Sequence, residues 1–158
     1  GSGRLNTTLA ATFSQTELIG DIKTSPLLED KKDTYFDRTS QIFLESAVPR
    51  QKINLTLSYS TGKFNMMLRN VYFGEVNEAT NNEANDQTFA AKIVTDISVG
   101  YKLTEKLRLS VGANNLFDVY PDLNIEANQS SGRFLYSRRS QQFGANGRYA
   151  FARLSLDL

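Results

Sequence analysis

The sequence predicts an all-β fold, a transmembrane antiparallel β-barrel to which this chain contributes about six strands. Three observations predict it. Apolar and polar residues alternate with period two in six separate segments, the charges of those segments fall on one face, and the connections alternate between long and short.

The segments lie at approximately 4–15, 52–60, 64–74, 90–101, 107–116 and 148–158. In the first, Leu5, Thr7, Leu9, Ala11 and Phe13 oppose Arg4, Asn6, Thr8, Ala10 and Thr12. In the second, Ile53, Leu55, Leu57 and Tyr59 oppose Lys52, Asn54, Thr56 and Ser58. The fourth sets Ala91, Ile93, Thr95, Ile97, Val99 and Tyr101 against Lys92, Val94, Asp96, Ser98 and Gly100. The fifth sets Leu107, Leu109, Val111 and Ala113 against Arg108, Ser110, Gly112 and Asn114. The sixth sets Ala150, Ala152, Leu154, Leu156 and Leu158 against Phe151, Arg153, Ser155 and Asp157. Only the third is irregular. Asn70 shares a parity with Phe64, Met66, Leu68 and Tyr72, while Met67, Val71 and Phe73 share one with Arg69. Either a bulge near Asn70 switches the faces, or Met67, Val71 and Phe73 touch packed protein on the inner side.

With faces assigned by hydrophobicity alone, Arg4, Lys52, Arg69, Lys92, Asp96, Arg108, Arg153 and Asp157 all share the polar face. A lipid contact enforces such exclusion, because Arg or Lys at mid-bilayer on the outer face costs roughly 2–4 kcal/mol. Arg148 departs from this parity but stands at a strand end, where that cost vanishes and the side chain reaches the headgroups. The connections 17–51, 76–89 and 117–147 are long and 60–63 and 102–106 tight, which matches long extracellular loops and short periplasmic turns. Gly62 is suited to positive φ in the first tight turn; the second lacks glycine and suits type I geometry.

Composition narrows the function. Of 158 residues, none is Cys, His or Trp, which removes disulfides, thiol nucleophiles, imidazole bases and Cys/His metal sites. Eighteen basic and seventeen acidic residues leave a net charge of +1, with no basic run interleaved with aromatics, so nucleic acid is not the expected partner. Asp96 and Asp157 sit on different strands and the acidic loop lacks calcium-loop spacing, so no catalytic residue, metal site or cofactor is expected. No apolar stretch is long enough for a membrane helix, and no apolar run follows Gly1-Ser2-Gly3-Arg4 as in a signal peptide. A barrel strand crosses with about ten alternating residues, so low mean hydropathy is no objection.

The loops differ in character. Residues 17–51 carry Glu29-Asp30-Lys31-Lys32-Asp33, an amphipathic patch Ile42-Phe43-Leu44, and Pro49 at the barrel rim. Residues 76–89 read as a wet loop rich in Asn, Glu and Asp. Residues 117–147 are basic and aromatic, and Arg133, Phe134, Tyr136, Arg138 and Arg139 are the candidate ligand-binding residues, because guanidinium forks suit carboxylate or phosphate. The inward Arg69, Lys92, Asp96, Arg108 and Arg153 suit a transport path, but pairing across strands or with other protein inside the barrel is the favoured reading.

The string Ser110-Val111-Gly112-Ala113-Asn114-Asn115-Leu116-Phe117-Asp118-Val119-Tyr120-Pro121 resembles a passage of TonB-dependent outer-membrane receptors that leads out of the next-to-last barrel strand. Pro49-Arg50, Tyr72-Phe73-Gly74-Glu75, Asp96-Ile97-Ser98-Val99-Gly100-Tyr101 and Gly147-Arg148-Tyr149-Ala150 resemble the same family in the same order, closest to its Bacteroidetes type. The resemblance implies a fragment supplying about the last six strands of a twenty-two-stranded barrel, with the plug domain and the TonB-contacting segment upstream. It implies active import of a scarce solute (siderophore, haem, cobalamin, glycan or peptide) across the outer membrane of a Gram-negative bacterium, not enzymatic activity. The implied partners are outer-membrane lipid, the rest of the barrel with its plug, and the TonB complex, and a surface lipoprotein lid is left open. Leu158 would lie at the periplasmic rim, and it departs from the terminal Phe usual in the family. For Asn114, Asn115, Leu116, Phe117 and Asp118 the favoured role is structural, closing the strand top, with Phe117 and Tyr120 in an interfacial aromatic girdle. A passive porin and a soluble β-sandwich are the alternatives. The upstream sequence separates the first, and dependence on detergent separates the second.

Overall fold

The computed structural model describes residues 2–157. Leu158, assigned above to the apolar face and the periplasmic rim, lies outside them. Six strands form one antiparallel sheet in the order β1 (Arg4–Phe13), β2 (Gln51–Thr61), β3 (Phe64–Phe73), β6 (Lys92–Lys102), β7 (Leu107–Asn114) and β8 (Tyr149–Leu156). The sheet does not close on itself: β1 and β8 are its edges.

A period-two strand has to bury one face or dissolve it in something apolar. Here the apolar face is bare. Leu5, Leu9, Phe13, Ile93, Tyr101, Leu109, Val111, Leu154 and Leu156 are all exposed, Leu9 by 67% and Leu154 by 64%. Among the described residues no second sheet packs on them, as a sandwich would require. Apart from Ala113, the buried apolar residues Ala47, Val76, Ala79 and Phe89 lie outside these six strands, where the long connections gather. The wall is inside-out relative to a soluble protein, which is the arrangement of a barrel surface in lipid.

The register runs unbroken through Asn70, which stands between Leu55 and Thr95, so there is no bulge and the faces do not switch. On the apolar face Asn70 is paired with Thr95, whose Oγ1 donates to the Asn70 Oδ1 at 2.7 Å, so that hydroxyl and that amide oxygen satisfy each other. Two of the three apolar residues on the inner face meet the returning 117–147 loop: Phe143 lies against Phe73, ring centroids 5.2 Å apart, and Val71 borders the same cavity as Phe143. Of the two explanations for the irregular third segment, packed protein on the inner side is the one realised at Val71 and Phe73.

Both tight turns follow their chemistry. Gly62 takes φ +52° at the first turn position, between the paired Thr61 and Phe64. The second turn has no positive φ; Leu103 N donates to Leu107 O at 2.9 Å and Thr104 Oγ1 accepts from Leu107 N at 3.0 Å. Gly112, on the inner face, is required for another reason. A Cβ there would collide with the Phe151 ring and Ile97 O.

The strands differ from the expected bounds by a residue or two at several ends, β2 and β6 running on to Thr61 and Lys102 and β8 stopping at Leu156. Ser14 and Gln15 leave β1, and β6 starts at Lys92 rather than at 90. Strand β7 stops at Asn114 because Asn115 takes φ +50°, a left-handed conformation that ends the ladder. The 76–89 connection is not wholly irregular: β4 (Val76–Glu78) and β5 (Gln87–Phe89) pair and carry the β3/β6 hairpin beyond the wall. Within 17–51 a 3-10 helix (Pro26–Lys31) is followed by two α-helices, α1 (Lys32–Tyr35) and α2 (Arg38–Ser46).

Candidate ligand site at the loop end

Three long connections meet at one end of the wall. Helix α2 begins there because Asp37 caps it: Asp37 Oδ1 accepts from Ser40 N at 2.8 Å and from Ser40 Oγ at 2.7 Å, and Thr39 Oγ1 also donates to the carboxylate. These bonds, the Ser40 hydroxyl's foremost, pull the Asp37 carboxyl down to about 2. The next residue docks the helix. Arg38 forks onto Asp86 at 2.6 and 3.2 Å, donates to Thr80 O at 2.8 Å and lies 3.3 Å from Glu83. Arg38 in turn holds the Asp86 carboxyl below its ordinary range.

The last loop is strapped to the same hairpin by side chains bonded to backbone. Gln142 Nε2 donates to Gly74 O at 2.6 Å and Ala90 O at 2.9 Å, and Ser140 Oγ donates to Asn77 O at 2.8 Å. Asp122 accepts from Ala90 N at 2.7 Å and from Lys92 Nζ at 2.6 Å; Gln87 bonds Leu123 O and Ile125 N. Buried backbone at these loops therefore finds partners without a sheet of its own.

At the junction lies a cavity of about 270 Å³, lined by Thr39, Glu78, Thr80, Asn128, Arg138 and Arg139 among others. The guanidinium of Arg138 rests on the Phe134 ring, 4.5 Å from its centroid, and that of Arg139 on Phe43, 5.1 Å away. Among the described residues neither guanidinium joins an ion pair or donates a hydrogen bond. Each exposed guanidinium sits over a ring and leaves its N–H groups uncommitted, ready for an oxyanion.

Of the five loop candidates, the structure brings Arg138 and Arg139 together and uses Phe134 as a seat. Tyr136 instead stacks on Tyr120, centroids 6.3 Å apart, and Arg133 is exposed away from the cavity. Thr39, Phe43, Glu78 and Asn128 were not anticipated. Phe43 stood out as part of an amphipathic patch, but nothing local shows which arginine it meets.

The inner-face charges divide. Arg69 Nε donates to Asp96 Oδ2 at 2.8 Å, with Nη2 on the same oxygen, across a directly paired position of β3 and β6. Lys92 pairs with Asp122. Arg108 and Arg153 on the last two strands are exposed and have no ion partner among the described residues. A second cavity of about 240 Å³ lies between wall and loop, bounded by Arg69, Phe73, Asp96, Asn115 and Phe143.

The Asn114–Asp118 string closes the strand top. Asp96 Oδ1 accepts from Asn115 N at 2.8 Å. Asn115 Nδ2 donates to Val119 O at 2.7 Å, and its Oδ1 accepts from Val119 N at 2.8 Å. Asp118, at φ +59°, accepts from Arg148 N at 2.7 Å and so joins the start of the loop to its end. Gly147 takes φ +69° beside it, where a Cβ would strike the Tyr120 hydroxyl. Phe117 is exposed. Every polar group of this turn that the bonds above name is engaged within the protein, not offered to a ligand.

An open sheet with an apolar outer face, an ionic inner face and braced loops at one end defines a section of an outer-membrane barrel wall. The family model for the TonB dependent receptor-like β-barrel matches residues 1–116, and the chain belongs to that family, one of transport receptors rather than enzymes. Similar solved structures include a double mutant of the ferric enterobactin receptor PfeA from Pseudomonas aeruginosa, at 17% identity over 72% of this chain and 17% of that one, TM-score 0.53. The siderophore receptor PirA from Acinetobacter baumannii is similar at 23% identity over 72% of this chain and 16% of its own, TM-score 0.50. The chain thus spans about a sixth of the length of these receptors. No curated protein matches it.

Proposed function

We propose that the whole protein imports a scarce solute across the outer membrane, captures it at the loop end, and is driven by TonB acting on a plug upstream of this chain. In this reading the six wall strands are the last of a twenty-two-stranded barrel, the loops 17–51, 76–89 and 117–147 are extracellular, and β8 ends at the periplasmic rim. Arg108 and Arg153 then face the plug. The observation that carries the reading is the pair of uncommitted, aromatic-seated guanidiniums of Arg138 and Arg139 in a cavity framed by all three loops.

The similar receptors named for ferric enterobactin and for a siderophore support import as the activity, at identities that speak for fold and not for cargo. A passive porin is disfavoured by the last loop, which is tied down over the inner face by Phe143 and Gln142 instead of leaving it open.

The test is growth in a medium where deleting the receptor slows growth, with surface abundance measured alongside. The Arg138→Ala/Arg139→Ala variant is expected to lose the receptor-dependent growth at normal abundance, Arg133→Ala to keep it, and a strain without TonB to lose it. Full growth without TonB rejects energised import; full growth of the double variant rejects the cavity as the capture site.

A further inference from the structure

The cavity at Arg138 and Arg139 holds charges of both signs. Glu78 lines it too, fixed at the tip of the β4/β5 ladder opposite Gln87, and its Oε2 is buried without a hydrogen-bond partner. Neither arginine lies within ion-pair distance of it, so the cavity presents two guanidiniums and one carboxylate that do not neutralise each other. Oε2 is closed off from solvent, so an incoming group meets this carboxylate at its other oxygen, and an anion brought against it there is costly. A purely anionic group would satisfy the arginines and repel Glu78; a purely cationic one would do the reverse.

We propose that this cavity takes an amphoteric group, a carboxylate with a nearby ammonium, as in a free amino acid or a short peptide. The carboxylate lies on the forks of Arg138 and Arg139, and the ammonium donates to Glu78. On the same walls Thr39 and Thr80 already donate their hydroxyl protons, to Asp37 and to Asn82 O, and offer acceptors only, while the side-chain amides of Asn81 and Asn128 can both donate and accept toward the amide or hydroxyl groups between. At about 270 Å³ the cavity admits one small group, which is either the whole solute or the end of a larger one.

The inference rests on the capture site proposed above, and its test separates the two. The full-length receptor in detergent is titrated calorimetrically with trialanine, N-acetyl-trialanine, trialanine amide and N-acetyl-trialanine amide. Trialanine is expected to bind best, with each single block weakening it roughly tenfold or more, the size of a lost charge-assisted hydrogen bond. Glu78→Gln should erase the penalty for acetylation and keep that for amidation. Arg138→Ala/Arg139→Ala should erase the penalty for amidation. Equal binding of the four peptides, or none, overturns the ligand class. If the arginine variant still impairs receptor-dependent growth, the capture site survives that failure; if it does not, both readings fall.

Discussion

Asp96 of β6 holds the backbone of Asn115 in the turn after β7, its Oδ1 accepting from Asn115 N at 2.8 Å while its Oδ2 takes Arg69. One buried carboxylate, 5% exposed, therefore joins the inner wall to the loop that carries Arg138 and Arg139. The positive φ of Asn115 is held by that bond and by the two that Asn115 makes with Val119.

Replacing Asp96 with Ala leaves a buried N–H unpaired and Arg69 without its partner, at a cost of about 1–3 kcal/mol. The expected outcome is a lower unfolding temperature and faster proteolysis within 117–147, measured on the folded receptor. Arg69→Ala is expected to have the smaller effect, because the Asn115 bond remains.

Helix α2 is set by a carboxylate whose folded value, about 2, lies below the ordinary one. A depressed value means the cap's contribution is complete above the ordinary carboxylate range and is lost as pH falls through about 2. Asp86 and Glu45, also held low by their partners, titrate in the same direction. Asparagine caps without titrating. Pepsin cleavage within 38–46, normalised to cleavage in 17–31, should rise as pH falls from about 4 to about 2, and rise less in Asp37→Asn.

Orientation follows from loop length and is checked by single cysteines in a chain that has none of its own. A membrane-impermeant maleimide on intact cells should label Arg138→Cys and not Lys63→Cys. The opposite pattern inverts the proposed topology.

Leu109 stands on the apolar face opposite Tyr101 and Leu154. Leu109→Arg should destabilise the full barrel by roughly 2–4 kcal/mol if it sits near mid-bilayer. Reversible denaturant unfolding in lipid vesicles measures it, and Arg108→Leu, on the other face, should not show this loss.

The wall was legible in the sequence because alternation is a local signal and the bilayer enforces it residue by residue. The irregular third segment was legible only as a choice: whether Val71 and Phe73 meet packed protein depends on Phe143, seventy residues along the chain from Phe73. The loop end was legible in composition but not in arrangement. Gln142 reaches Gly74 and Arg38 reaches Asp86 across long sequence separations, and no periodicity encodes such bonds. Helix α2 was not legible either: Asp37 is a residue type that caps helices, but Ser40 stands where a capping box has Glu or Gln, so the local signal is weak. Arg133 carries the same side chain as Arg138 and Arg139, and Tyr136 is as aromatic as Phe134; only the path of the chain separates them.

A sheet with one face in lipid is tested most directly by spin-label accessibility in the full-length receptor. Labels at Leu55, Leu109 and Leu154 should be relaxed by oxygen and shielded from a water-soluble nickel complex, with labels at Arg108 and Arg153 showing the reverse. Nickel accessibility at the three leucine positions, with oxygen favoured at the two arginine positions, would contradict it.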